Sequence, residues 1–215
     1  MPSLDEFLIQ AGSITRELPL AGLFVASALL VLVRDWRVSL LAVLSQYVLV
    51  GLVLARLVLP EVALIKVLIG ALICPMLYLA ARQAGWGAHR DLLPGMSQGE
   101  VFPGGRAFRL LAVTLAALVA VTLSQEYPLP VVPPDVGLAS YWLMLVGLLI
   151  LMLTEEPLKA GQGLLTVILG FELLYALIER SLALVWLWAV VNLLLALAIS
   201  YLVVVRGIGS SEGNS

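Results

Sequence analysis

Glu172 is the residue whose type and position most need a chemical reason. It stands in the run from Gly163 to Ile178, whose other polar side chains are Thr166 and Tyr175. A run of this length and character reads as a membrane-spanning helix. An acid at the centre of such a helix is unfavourable by about 2.5–3.5 kcal/mol on insertion scales, so its retention points to ion or proton transfer. The alternative is a protonated acid that only hydrogen-bonds a neighbouring helix. Tyr175 and Glu179 follow Glu172 at three and seven positions, which at helical spacing makes a polar stripe leading out of the membrane. That stripe is either a short proton path, or Glu179 sits at the interface with Arg180 while Tyr175 packs.

Other polar residues stand in apolar surroundings. Lys66 lies slightly more than one turn inside its span, either snorkelling to the interface or buried as an ammonium that tunes a neighbouring acid. Gln46 sits mid-span between Ser45 and Tyr47. Asn192 begins a pattern with Ala196 and Ser200, one turn after Trp188, that reads as a face turned to another helix. Gly163, Thr166 and Gly170 form a small-residue seam where a second helix approaches closely. One cysteine, Cys74, and one histidine, His89, leave no internal disulfide, cysteine cluster or two-histidine site, so neither a metal nor a cofactor is expected. The loop residues His89, Arg90, Asp91 and Glu100 match no metal or nucleophile spacing.

These residues need a membrane bundle to position them. The 215-residue chain is 62% hydrophobic and 12% charged, against about 25% charged in soluble domains. The expected fold class is all-α, a polytopic membrane protein with about seven transmembrane helices. Residues 1–17 read as an interfacial amino-terminal segment, not a cleavable signal, because its early charges are acidic. Residues 18–135 hold four helices, with a long glycine- and proline-broken cytoplasmic loop at about 82–106. Residues 136–206 hold three more, and 207–215 form a disordered tail. Arg34, Arg37, Arg82, Arg90, Arg106, Arg109, Lys159 and Arg206 fall on one side of the spans, against Arg16, Arg56 and Arg180 on the other. The positive-inside rule then puts the amino terminus outside and the carboxyl terminus in the cytoplasm, in the cell (inner) membrane.

Leu164-Leu165-Thr166-Val167-Ile168-Leu169-Gly170-Phe171-Glu172-Leu173-Leu174-Tyr175-Ala176 resembles the second helix of the K-type membrane subunit of bacterial complex I, and of the C-type subunit of multisubunit sodium/proton antiporters. The last three spans match that small subunit in number and orientation. Over nearly its whole length the chain resembles the longer hydrogenase-4 component E, through Trp36-Arg37-Val38-Ser39 with Gln46, Leu64-Ile65-Lys66-Val67-Leu68 and Tyr78-Leu79-Ala80-Ala81-Arg82. It departs in two places. Asn192 stands where the K-type third helix carries a second glutamate, and Tyr175 stands where component E relatives tend to place their sixth-span acid.

The resemblance implies a membrane subunit of a complex I-related assembly, whether NADH or ferredoxin dehydrogenase, membrane-bound hydrogenase or cation/proton antiporter. Its own chemistry would be proton or cation transfer through Glu172, with no catalysis by the chain alone. Its partners would be the lipid bilayer and other membrane subunits, antiporter-like ones especially, with quinone contact only through the complex and no nucleic acid. A stand-alone small transporter and a purely scaffolding subunit are the alternatives.

Overall fold

The computed structural model describes residues 4–33, 35–58, 60–85, 105–128, 132–179 and 181–212, with side chains from Leu18 onward except those of Pro60, Arg106, Leu182 and residues 208–212. Seven helices follow one another: α1 (Leu4–Leu32), α2 (Trp36–Leu57), α3 (Pro60–Gln83), α4 (Arg106–Glu126), α5 (Pro134–Leu153), α6 (Pro157–Ile178) and α7 (Leu182–Glu212). There is no strand among the described residues. Helices α2 to α7 contain stretches long and apolar enough to cross a membrane, and the apolar part of α1, Leu18–Leu32, is shorter.

The breaks fall where local chemistry stops or starts a helix. Asp35 caps α2, its carboxylate accepting from the backbone N–H of Arg37 at 3.0 Å. Pro134 and Pro157 open α5 and α6, where the missing N–H costs nothing and the fixed φ already suits a helix. Two boundaries differ from those expected. α1 runs unbroken from Leu4 through Pro19, so the segment expected as a separate interfacial turn continues into the first span. Backbone groups freed by an internal proline are re-satisfied by neighbours in a packed membrane bundle. α7 continues past Arg206 to Glu212, where a disordered tail is expected to begin. The loop at 86–104, with His89, Arg90, Asp91 and Glu100, lies outside the described residues, as do Arg34 and Arg180.

The four-helix and three-helix parts interlock. α3 packs on α7, α2 on α6 and α1 on α5, in addition to the pairs α1–α2, α2–α3, α5–α6 and α6–α7, and one apolar core runs through all of them. α4 lies at the edge against α5 and α1, presenting Leu110, Leu111, Leu115 and Leu118 outward. The bundle is apolar outside and partly polar inside: these leucines, Leu64 and Met152 are exposed, whereas Lys66, Glu172, Asn192, Gln46 and Gln162 are buried. Such a belt is stable against lipid tails and would aggregate in water, so the chain is an all-α polytopic membrane protein.

Cations tie one end of the bundle together. Arg109 donates to the carbonyl of Val31 at 3.1 Å, Lys159 donates to that of Val33, and Arg206 donates to that of Glu155 at 2.8 Å. The Val31 and Val33 carbonyls close α1, where the helix dipole is negative and a cation contributes about 0.3–1 kcal/mol, while the Glu155 carbonyl lies in the link between α5 and α6. Gly207 abuts Ala84 at the same end, so α3 and α7 run parallel.

Candidate functional site

Four helices, α2, α3, α6 and α7, each supply one side chain to a buried cluster: Tyr47, Lys66, Glu172 and Asn192. Lys66 Nζ forms an ion pair with Glu172 Oε2, their side chains only 3% and 2% exposed. Asn192 Nδ2 donates to Glu172 Oε1 at 2.6 Å and to the Trp188 carbonyl at 2.8 Å. The Tyr47 hydroxyl donates to Asn192 Oδ1 at 2.8 Å. Two acceptors for Nδ2 and one donor for Oδ1 fix the orientation of the Asn192 amide. Both Glu172 oxygens have a nitrogen partner, Lys66 Nζ at Oε2 and Asn192 Nδ2 at Oε1.

Close packing holds the cluster. Gly70 on α3 lies against Tyr47, and a Cβ there would fall 2.5 Å from Tyr47 Cβ. Gly147 of α5 and Gly163 of α6 face one another, each leaving no room for a methyl group beside the other's carbonyl. Gly170 likewise meets Leu143 and the Ser140 carbonyl on α5. The partner of the expected small-residue seam is therefore α5, while Thr166 turns its hydroxyl toward α2 and Gln46.

Along the helices the pair lies toward the end opposite the basic one. Lys66 is six residues from Pro60 (66 − 60) and Glu172 six from Ile178 (178 − 172). At 1.5 Å per residue each is about 9 Å from its helix end. Lys66 at that depth does not snorkel; it spends its charge on Glu172.

A second polar set lies nearer the basic end. Ser39 Oγ donates to Gln162 Oε1, and Thr166 Oγ1 lies 2.8 Å from the Gln162 carbonyl and 3.1 Å from Gln46 Oε1. Gln46 Nε2 donates to Ser27 Oγ at 3.2 Å, and Ser27 Oγ donates to the Leu23 carbonyl at 2.6 Å. Cys74, buried on α3, packs with its Sγ 3.6 Å from the Leu40 carbonyl.

The stripe beyond Glu172 is not a hydrogen-bonded chain among the described residues. Tyr175 stacks on Phe171 with centroids 5.9 Å apart and meets Trp188 edge-on at 6.4 Å. Glu179 is exposed past the end of α6, its N–H bonded to the Tyr175 carbonyl. The structure thus joins Glu172 to Lys66, Asn192 and Tyr47, and leaves Tyr175 and Glu179 apart from them. Tyr47, Ser39, Gln162 and Ser27 are site residues that reasoning from the sequence does not single out. Gln162 and Thr166 at i, i+4 and Ser39 and Gln46 at i, i+7 carried the available signal.

No group of three or more histidine, cysteine, aspartate and glutamate side chains placed to hold a metal occurs among the described residues. What the buried cluster can do chemically is hold a carboxylate against an ammonium inside hydrocarbon and exchange a proton there. No protein-family model, curated protein or solved structure matches the chain.

Proposed function

We propose that this chain is a membrane subunit of a complex I-related assembly in which Glu172 carries a proton during ion translocation, with Lys66 as its charge partner. The observation that carries the reading is the buried Lys66–Glu172 pair, bracketed by Asn192 and Tyr47 within the membrane spans. A pair removed from water loses several kcal/mol of hydration per ion and is commonly less stabilising than apolar packing of the same volume. A bundle that needed only stability has cheaper ways to fill this space. A proton delivered to Glu172 leaves Lys66 uncompensated, and its charge then favours passing a proton onward or moving toward another acid. Such a transfer turns a local protonation into a shift of charge between α3 and α6.

The resemblance of α6 to the K-type helix and of the whole chain to hydrogenase-4 component E supplies the class of assembly. Its partners on this reading are antiporter-like membrane subunits. The orientation follows the same logic: Arg37, Arg82, Arg109, Lys159 and Arg206 lie at the helix ends gathered by the Val31, Val33 and Glu155 carbonyls, which supports that end as cytoplasmic.

Affinity purification of the tagged chain in mild detergent, followed by reconstitution of whatever assembly is recovered, tests the proposal. Co-purifying antiporter-like subunits are expected. Glu172→Gln, assayed well below its lowered melting temperature, should still assemble and should lower ion translocation per turnover, whereas Lys66→Arg should keep most of it and Lys66→Ala should not. A Glu172→Gln assembly that translocates like the parent would reduce the site to scaffolding, and a lone active chain would point to a stand-alone transporter.

A further inference from the structure

Gln162 is one of the side chains with a buried polar atom left without a hydrogen-bond partner among the described residues, as are Trp142 and Ser200, and the one of these three that sits within a connected polar set. It is 1% exposed, its Oε1 accepts from Ser39, and its Nε2 has no hydrogen-bond partner among the described residues. A buried amide donor left unpaired costs about 1–3 kcal/mol, and buried waters are the usual remedy where polar groups converge. Here they do converge. Ser39, Gln162, Thr166, Gln46 and Ser27 form one connected set of polar side chains drawn from α1, α2 and α6.

The set has a direction. Ser39 is three residues into α2 (39 − 36) and Gln162 five into α6 (162 − 157), both starting from the basic end. These offsets correspond to about 5 and 8 Å of helix. Gln46 and Thr166 lie ten (46 − 36) and nine (166 − 157) residues in, about 14–15 Å along the axes. Beyond them Leu169 and Leu173, both fully buried, occupy the last turns of α6 before and beside Glu172. Gln46 is also the chain neighbour of Tyr47, which belongs to the Glu172 cluster.

We infer that this set lines a one-sided water path from the basic end of the bundle, with Gln162 Nε2 donating to a bound water and the Leu169–Leu173 layer closing the path short of Glu172. Hydration stands on the polar set alone; the delivery of protons to Glu172 rests on the function proposed above. The amides orient water and do not titrate. Protons pass between waters and the Ser39 and Thr166 hydroxyls, each hop forming one O–H bond and breaking one. The last hop protonates the Glu172 carboxylate when the leucine layer admits water.

The path is testable apart from the transport it serves. In a Cys74→Ala background, single cysteines Gln162→Cys, Thr166→Cys and Leu169→Cys are placed in the full-length protein in sealed vesicles of known orientation. Silver ion, small enough for a water-wide path, is added to one side at a time, and the remaining free thiol is counted after denaturation. Positions 162 and 166 should react from the basic side at least ~10-fold faster than from the other, as a one-sided hydrated path requires, while 169 stays protected. Protection of both from both sides, or faster reaction from the opposite side, overturns the path; monodisperse elution of each variant separates protection from misfolding. Gln162→Leu should then slow proton uptake by about 10-fold, the loss of one hydrogen bond on the route. Sided silver reaction with unchanged uptake in Gln162→Leu would overturn delivery while leaving the hydration standing. Normal translocation by Glu172→Gln would overturn the proposed function itself.

Discussion

Breaking the Lys66–Glu172 pair from one side and from both should give opposite results. Lys66→Met leaves the Glu172 carboxylate with only Asn192 as a donor, and Glu172→Gln leaves the Lys66 ammonium with no counter-charge, at side chains 3% and 2% exposed. Removing one member of a buried pair costs about 3–5 kcal/mol, whereas replacing both with apolar residues of similar volume is neutral or stabilising. For a chain of this size each kcal/mol moves the melting temperature by about 2–4 °C, so each single variant should melt roughly 6–20 °C lower. The Lys66→Met/Glu172→Met double variant should return to within a few degrees of the parent. The two single variants should also respond to pH in opposite directions. Acid supplies the proton that neutralises the lone carboxylate, so Lys66→Met should lose stability as pH rises; alkali removes the proton of the lone ammonium, so Glu172→Gln should lose stability as pH falls. The double variant should show neither slope. Thermal unfolding in detergent across pH, followed by tryptophan fluorescence, reads all four proteins, with Trp188 directly beside the site. Additive losses in the double variant, or parallel pH slopes in the two single ones, would refute a buried pair and return Lys66 to the interface.

Gly70→Ala places a methyl group 2.5 Å from Tyr47 Cβ and 2.8 Å from its Cγ, so α2 and α3 must separate. A loss of about 1–3 kcal/mol in unfolding free energy is expected, and it should be smaller when measured against a Tyr47→Gly background, which removes both atoms that the methyl group meets. The orientation predicts that cysteine reporters placed near Gly95 react only from the cytoplasm and those near Asp135 only from outside; the reverse labelling would invert the proposed topology.

The class of fold was legible because few residues are charged, and the breaks that bound α2, α5 and α6 come from residues that act locally, Asp35, Pro134 and Pro157. Glu172 and Lys66 stood out for a related reason: an ion in an apolar run has few explanations. Their pairing was not legible. The two are 106 positions apart, and whether they meet depends on how α3 and α6 each pack against α2 and α7. Periodicity describes a single helix and says nothing of which neighbour each face meets. The stripe from Glu172 through Tyr175 to Glu179 shows the limit. Its spacing is sound helical geometry, yet that side of α6 turns Tyr175 toward Phe171 and Trp188, and Glu172 toward α3 and α7. Tyr47 draws no role from the sequence because a tyrosine within a span reads as packing until its hydroxyl is seen to meet Asn192.

Asn192, set against the second glutamate of the K-type helix, changes what the cluster holds. Its Nδ2 donates to Glu172 while its Oδ1 accepts from Tyr47, so one neutral side chain presents a donor to the carboxylate and an acceptor to the hydroxyl. An acid at this position would replace the donor with a lone pair and set two carboxylates against the single ammonium of Lys66. Like charges at hydrogen-bond distance disfavour joint ionisation and favour one proton held between the two acids. The amide removes that second proton from the site. What remains is one carboxylate with one ammonium, and a proton arriving on Glu172 changes the charge of the cluster by a full unit with no second acid inside it to take up the difference. On the function proposed above, the compensating movement would come from Lys66 or from an acid beyond this chain, which would centre the coupling on the Lys66–Glu172 pair.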